Sequence, residues 1–146
     1  MKPTLFRGAA KFFTFLLVAL MFLPLIHAQS GASNEDFEKG LKLYEAAKYN
    51  EAATAFKHLI DRDPNNADAY YQLANCYFVM TRNKDAVKAY QRVIELKPDH
   101  YLAYNNLGTA YHRLREFKQA IDSYESALKI KPDYSVAILG LGVAYL

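Results

Sequence analysis

The chain is poor in the groups that crosslink a fold or carry out a reaction. Its single cysteine, Cys76, excludes an internal disulfide, so stability has to come from packing. Glycine-rich phosphate loops ending in Lys-Ser or Lys-Thr are missing, as are His-Glu-x-x-His, Cys-x-x-Cys and Gly-x-Ser-x-Gly. His58, His100 and His112 stand apart, without a second ligand at helical spacing, and read as surface or inter-helix residues rather than a metal site. The expectation is a protein without catalysis, cofactor or small-molecule substrate.

Acidic residues are absent from residues 1–28, which contain Lys2, Arg7 and Lys11 followed by an apolar run from Phe12 to Ile26 broken only by Thr14 and Pro24. A basic start, an apolar stretch and a small residue at Ala28 are the three parts of a secretory signal, and cleavage is expected after Ala28. The run falls short of the roughly twenty apolar residues that a spanning helix needs, and Pro24 interrupts it. Retention of residues 12–26 as a membrane anchor is the alternative. Cys76 lies far from the cleavage site, which excludes a lipid anchor attached there. Removing Lys2, Arg7 and Lys11 from the 18 basic residues leaves 15 to match the 15 acidic ones, so the mature chain is formally neutral. Nonspecific nucleic-acid binding needs a strong positive field, and this balance argues against it.

Most of what remains is periodic. Pro64, Pro98 and Pro132 stand thirty-four residues apart, and three first-helix patterns share that spacing: Tyr70-x2-Leu73-Ala74-x2-Tyr77, Tyr104-x2-Leu107-Gly108-x2-Tyr111 and Ile138-x2-Leu141-Gly142-x2-Tyr145. A second series, Ala52-x3-Phe56, Ala86-x3-Tyr90 and Ala120-x3-Tyr124, runs in step with it. Spacings of three and four put these residues on one face of a helix, with small residues set against large ones. Seven tyrosines (Tyr70, Tyr77, Tyr90, Tyr104, Tyr111, Tyr124 and Tyr145) occupy core offsets, and Cys76 reads as a small buried hydrophobe. Asn65, Asp99 and Asp133, each directly after a proline, are the candidate N-caps of the first helices.

These residues resemble the tetratricopeptide repeat, a helix-turn-helix unit of this period, with Tyr or Ile where its tryptophan usually stands. The resemblance implies an all-α fold, an α-α superhelix or solenoid of stacked helix pairs. Residues 29–32 become a short linker, 33–66 a degenerate first repeat acting as a cap, 67–100 and 101–134 two full repeats, and 135–146 the first helix of an incomplete fourth. Asp36 and Lys39 replace apolar residues in the first unit, whose inward stripe falls to Phe37, Leu41 and Tyr44. The last helix is apolar nearly all round, which a terminal cap should not be. A longer array, or another chain covering that helix through Leu139, Val143 and Leu146, is expected.

The family turns its first helices toward a concave groove. Carried over offset by offset, the groove residues are Tyr71, Gln72, Asn75 and Phe78 in the second unit and Asn105, Asn106, Thr109, His112 and Arg113 in the third. The resemblance therefore implies a scaffold whose partner is a protein, bound as an extended peptide or helix. One subtype grips the C-terminal carboxylate of chaperones with lysine, arginine and asparagine. Asn75 and Asn106 fall at its asparagine offsets, but Tyr71, Val136 and Gly140 stand where its cations would be, so that specificity is not expected to transfer. Asn106 before Leu107-Gly108 is also similar to the asparagine ladder of sugar-transferase superhelices, which Gln72 and Gly140 break. The alternative functions are an N-terminal interaction module of a longer envelope or secretion protein, or of an enzyme, cut off at Leu146, or a membrane-anchored assembly factor.

Overall fold

A short turn that cannot continue as helix decides where each helix stops. The computed structural model describes residues 34–146, and the leader, its cleavage site and the linker lie outside the described residues. Among the described residues every regular element is helical. Residues 34–45 belong to α1, followed by α2 (Tyr49–Arg62), α3 (Ala67–Val79), α4 (Asn83–Leu96), α5 (Tyr101–Arg113), α6 (Phe117–Ile130) and α7 (Ser135–Ala144). None of these helices is long and apolar enough to cross a membrane.

Two kinds of turn alternate. After α1, α3 and α5 the chain enters the left-handed region at Ala47, Thr81 and Arg115, with φ of 58°, 59° and 62°. The amide of the following residue reaches back five positions to a free carbonyl: Lys48 N to Leu43 O, Arg82 N to Tyr77 O and Glu116 N to Tyr111 O, at 2.9, 2.9 and 3.0 Å. That is the Schellman closure, formed here without the glycine that usually relieves it. After α2 and α4 the chain extends into Asp63-Pro64 and Lys97-Pro98, since proline has no amide to continue the ladder.

The expected N-caps move by one residue. Asn66, not Asn65, caps α3 by accepting from Ala69 N, and His100, not Asp99, caps α5 by accepting from Ala103 N through Nδ1. Tyr134, not Asp133, precedes α7 and makes no side-chain cap. The cause is a turn around each proline. The amides of Asn66, His100 and Tyr134 bond to Asp63, Lys97 and Lys131 three residues back, so the residue after proline is still inside the turn.

Packing follows the large-against-small pattern. Ala52, Ala86 and Ala120 are buried completely, as are Ala74 and Phe56, while Tyr90 and Tyr124 are nearly so. One apolar cluster runs from α1 to α5, a second surrounds Tyr124 between α6 and α7, and Tyr111 borders both. In the first unit Phe37, Leu41 and Tyr44 pack on the first cluster, Phe37 meeting Phe56 edge-on at 5.5 Å, while the polar Asp36 pairs with Arg62. Cys76 is fully buried, and burial pushes its thiol up to about 11. Of the seven tyrosines expected in the core, only Tyr77, Tyr90 and Tyr124 are buried. Tyr70, Tyr104 and Tyr111 are half-buried, because a phenol can bury its ring and leave its hydroxyl in water. Tyr145 is 64 % exposed, with no second helix packed over α7 among the described residues.

Close approach explains the glycines. A Cβ on Gly108 would lie 2.8 Å from the Tyr124 ring, and one on Gly40 would lie 2.8 Å from the Phe56 ring, whereas one on Gly142 would meet nothing within 4 Å. Gly108→Val should therefore destabilise the array by about 1–3 kcal/mol through overpacking. Gly142→Ala should stabilise it by roughly 0.5–1 kcal/mol through helix propensity alone. Urea titrations of the two variants should move the midpoint in opposite directions.

Candidate functional site

The first helices α1, α3 and α5 put one residue each at equivalent offsets along a common face, Tyr44, Phe78 and His112, thirty-four residues apart. Between α1, α3 and α5, with α4 behind, opens a cavity of about 340 Å³ lined by Tyr44, Tyr71, Asn75, Phe78, Val79, Tyr90, Asn106 and Thr109. None of these side chains carries a charge. Five of the nine groove residues read from the sequence meet here: Tyr71, Asn75, Phe78, Asn106 and Thr109.

Polar groups in this wall bond mostly to one another. Asn75 Oδ1 accepts from the Tyr90 hydroxyl at 2.6 Å and from Asn106 Nδ2 at 3.4 Å. Asn106 Nδ2 also donates to the Tyr71 hydroxyl at 3.1 Å, and Asn75 Nδ2 donates to Gln72 Oε1 at 3.2 Å. Thr109 Oγ1 donates to the Asn105 carbonyl and accepts from the Tyr124 hydroxyl, both at 3.1 Å. Both protons of Asn106 Nδ2 and both acceptor directions of Asn75 Oδ1 are thereby in use. What remains is the Tyr71 hydroxyl proton, one Asn75 amide proton and a lone pair of Asn106 Oδ1. Burial raises the pKa of Tyr71, where the bond from Asn106 opposes it, and more strongly that of Tyr90, so both phenols stay protonated donors. The Tyr71 ring also lies 4.8 Å from that of His100, whose pKa burial lowers. A neutral imidazole is what the α5 cap requires, since its Nδ1 must accept.

The other four expected groove residues are placed differently. Asn105 is 4 % exposed and does not line the cavity; its Nδ2 donates to Asn106 Oδ1 at 3.1 Å and its Oδ1 finds no donor among the described residues. It shares an offset with Tyr71, but a short amide there sinks beneath the surface that a long phenol reaches. Gln72 serves as the acceptor for Asn75 rather than as wall. His112 lies against Phe117, ring to ring at 5.5 Å, in a separate cavity of about 530 Å³ shared with Arg115, Val143, Ala144 and Leu146. Arg113, read as a cation available to a ligand, stacks 3.7 Å over the Phe78 ring and donates to the Phe78 carbonyl at 3.1 Å. A guanidinium fits there because the Phe78 carbonyl, which already accepts from Thr81 N, can accept a second bond, and the C-terminal end of α3 favours a cation.

Three wall residues escaped the sequence reading: Tyr44, Val79 and Tyr90. Tyr44 was recoverable, because it stands one period before Phe78. Tyr90 carried no such signal, since it belongs to a second helix and reaches the groove only with its hydroxyl. Leu139 and Val143 of α7 and Leu146 just beyond it are all exposed, Leu139 by 71 %. Among the described residues no three His, Cys, Asp or Glu side chains gather as a metal site would need.

A family model described as "Tetratricopeptide repeat" matches residues 65–133, and another described as "TPR repeat" matches residues 40–80. Together they run from residue 40 to residue 133. The chain belongs to the tetratricopeptide repeat family. Among solved structures it is similar to the first such domain of Spaghetti (RPAP3) bound to the HSP90 peptide SRMEEVD, with 26 % identity over 77 % of this chain and 90 % of that one and a TM-score of 0.75. MamA is similar at 28 % identity over 85 % and 72 %, with a TM-score of 0.76. The second domain of human RPAP3 in complex with the HSP70 peptide SGPTIEEVD superposes with a TM-score of 0.74 over 76 % and 92 %, and at 22 % identity that likeness concerns the fold alone. No curated protein sequence matches the chain. Tetratricopeptide repeats are protein-interaction scaffolds, typically without catalysis, and the fold is an all-α repeat superhelix.

The bond from Tyr90 to Asn75 ties the groove to the core. Asn75→Leu should destabilise the chain by about 1–3 kcal/mol, because it strands a buried phenol hydroxyl. Adding Tyr90→Phe to that variant should restore most of the loss, as Leu41 already stands one residue after Gly40 where the aromatic is Phe56. A double-mutant cycle by urea denaturation reads this coupling.

Proposed function

We propose that the chain is an exported, noncatalytic scaffold that holds an extended segment of a partner protein along the α1–α3–α5 face. The observation that carries this reading is the uncharged cavity of about 340 Å³, in which an unused donor on Tyr71 and an unused acceptor on Asn106 flank an aromatic wall. A donor and an acceptor side by side match one peptide unit, and the wall of Tyr44, Phe78 and Val79 suits an apolar side chain next to it. Peptide binding by the domain of Spaghetti (RPAP3) supports the same use of the fold. Its ligand ends in an acidic residue and a carboxylate, however, and a carboxylate would enter this cavity without a cation to compensate its lost hydration. The partner segment is therefore uncharged where it meets the pocket, and its affinity depends little on salt.

Export rests on the leader: a basic start, a short apolar run and the small residue Ala28 before Gln29.

Peptide display against the immobilised chain should enrich uncharged segments with one bulky apolar residue, and Phe78→Ala should weaken the selected peptides about tenfold, in line with loss of a central aromatic anchor. Preferential capture of SRMEEVD over its C-terminal amide would overturn the uncharged-segment reading. For the leader, mass spectrometry of the expressed product should find Gln29 at the N-terminus. Recovery of an intact N-terminus from membranes would replace the soluble scaffold with an anchored one.

A further inference from the structure

The junctions that lead into α3, α5 and α7 are capped in three different ways. Asn66 caps α3 with a side-chain amide, His100 caps α5 with an imidazole, and Tyr134 before α7 makes no side-chain cap. An amide oxygen accepts at every pH, whereas Nδ1 of an imidazole accepts only while the ring is neutral. Of these junctions, only the one into α5 can be opened by a proton. That helix carries Asn106 and Thr109 of the cavity wall.

The same imidazole also touches the wall directly. Its ring lies 4.8 Å from that of Tyr71, tilted by 33°, and the Tyr71 hydroxyl accepts from Asn106 Nδ2. Tyr71 on α3 is thus held at its ring by the cap of α5 and at its hydroxyl by an amide within α5. A proton on Nδ1 would set one N–H against another, since Ala103 N is 3.2 Å away and already donates to that atom. The bond is then lost, and the imidazole has to turn away from the helix end.

Several groups act on this proton. Burial is the largest influence on the half-covered ring and holds its pKa below the ordinary histidine range, with Lys97 acting in the same direction. Asp68 on α3 and Asp99 next in the chain favour the charged form, but Asp68 is already paired with Lys97 at 2.8 Å. A cation would be drawn to the Tyr71 face and repelled by the helix N-terminus, and at a half-covered site these two effects are of similar size. Burial decides.

We propose that His100 is a pH switch for the groove: on acidification its protonation opens the α5 cap, withdraws the ring from Tyr71 and weakens capture of the partner segment. The switch rests on the reading of the cavity as a peptide site. Its sign follows from the neutral form being the capped one. The wall is fully assembled above about pH 6.5 and loosens as pH falls through the lower value that His100 has in the folded chain.

NMR of the chain between about pH 7.5 and about pH 5 reads the switch without any ligand. Nuclear Overhauser contacts between the His100 and Tyr71 rings should fade along the His100 titration curve, and the Asn106 side-chain amide should shift with them. A ring contact that persists once His100 is protonated, or a His100 still neutral at the acid end, would overturn the switch. Capture is then followed with the uncharged peptide acetyl-Gly-Ser-Leu-Ser-Gly-amide, which has no titrating group of its own. It should bind about fivefold more weakly at the acid end, the scale of one lost hydrogen bond, and bound peptide should push the His100 midpoint further down. His100→Asn, which installs the cap that Asn66 makes one unit earlier, should keep the helical melt and bind equally at both ends of the range. Equal binding by the unaltered chain at both ends would overturn the switch and leave the peptide groove standing. Binding at neither end would overturn the groove reading, and the part of His100 in capture with it.

Discussion

Everything in this array hangs on a ring pressed against a helix that has almost no side chain. Phe56 on Gly40 and Tyr124 on Gly108 bring two helix axes closer than ordinary side chains would permit, and the large ring fills the space that closeness leaves. The contact is local in sequence, sixteen residues apart, so each helix pair closes on itself with a small loop-closure cost. Stacking one pair on the next then buries the outer faces. In such one-dimensional arrays stability is a sum of unit and neighbour terms, so a change at one seat should be felt mainly in its own pair and the next. Tyr124 shows the neighbour term directly, since its ring also lies 2.6 Å from the Cβ position of Gly140 on α7.

The same contact shapes the groove. Tyr90 is 1 % exposed, yet its hydroxyl donates to Asn75 on α3, and the residue is part of the cavity wall. Core and binding surface are thus two ends of one side chain. The asparagines are oriented by this phenol and by each other, which fixes the few unused hydrogen-bonding positions before any ligand arrives. Such preorganisation lowers the ordering cost of binding, but it also means that substituting a wall residue alters the core. Arg113 follows the same logic. Its charge is engaged by the Phe78 ring and carbonyl, so it braces two repeats against each other instead of standing free in the groove.

Residue types told much of this in advance, for identifiable reasons. Period, helix pairing and the small-against-large stripe were legible because each is a matter of spacing, and spacing survives projection onto a line. The helix caps were not, because a turn one residue longer moves the cap from Asn65 to Asn66 and from Asp99 to His100 without altering the composition. Left-handed turns at Ala47, Thr81 and Arg115 were invisible because glycine, their usual signal, is absent, and the closure is enforced by the backbone bonds that follow. Within the site, offsets found Tyr71, Asn75, Phe78, Asn106 and Thr109 but misplaced Asn105. An offset gives the direction of a Cα–Cβ bond and not how far a side chain reaches along it. Tyrosine at that offset arrives at the surface, and asparagine stops beneath it.

That distinction between direction and reach bears on how such an array acquires specificity. Directions are common to all units, so the scaffold repeats, and what differs from unit to unit is the residue after each small one: Leu41, Asn75, Thr109, Val143. In the second and third units that residue is bound from behind by a tyrosine hydroxyl while it faces the cavity in front. A substitution there changes the groove and the demand on the aromatic together, so the two positions are constrained to vary as a pair. Leu41 with Phe56 and Asn75 with Tyr90 are two solutions of the same constraint. The chemistry of the concave face is therefore bounded by what the core can satisfy: a polar groove position needs a hydroxyl behind it, and an apolar one needs a bare ring.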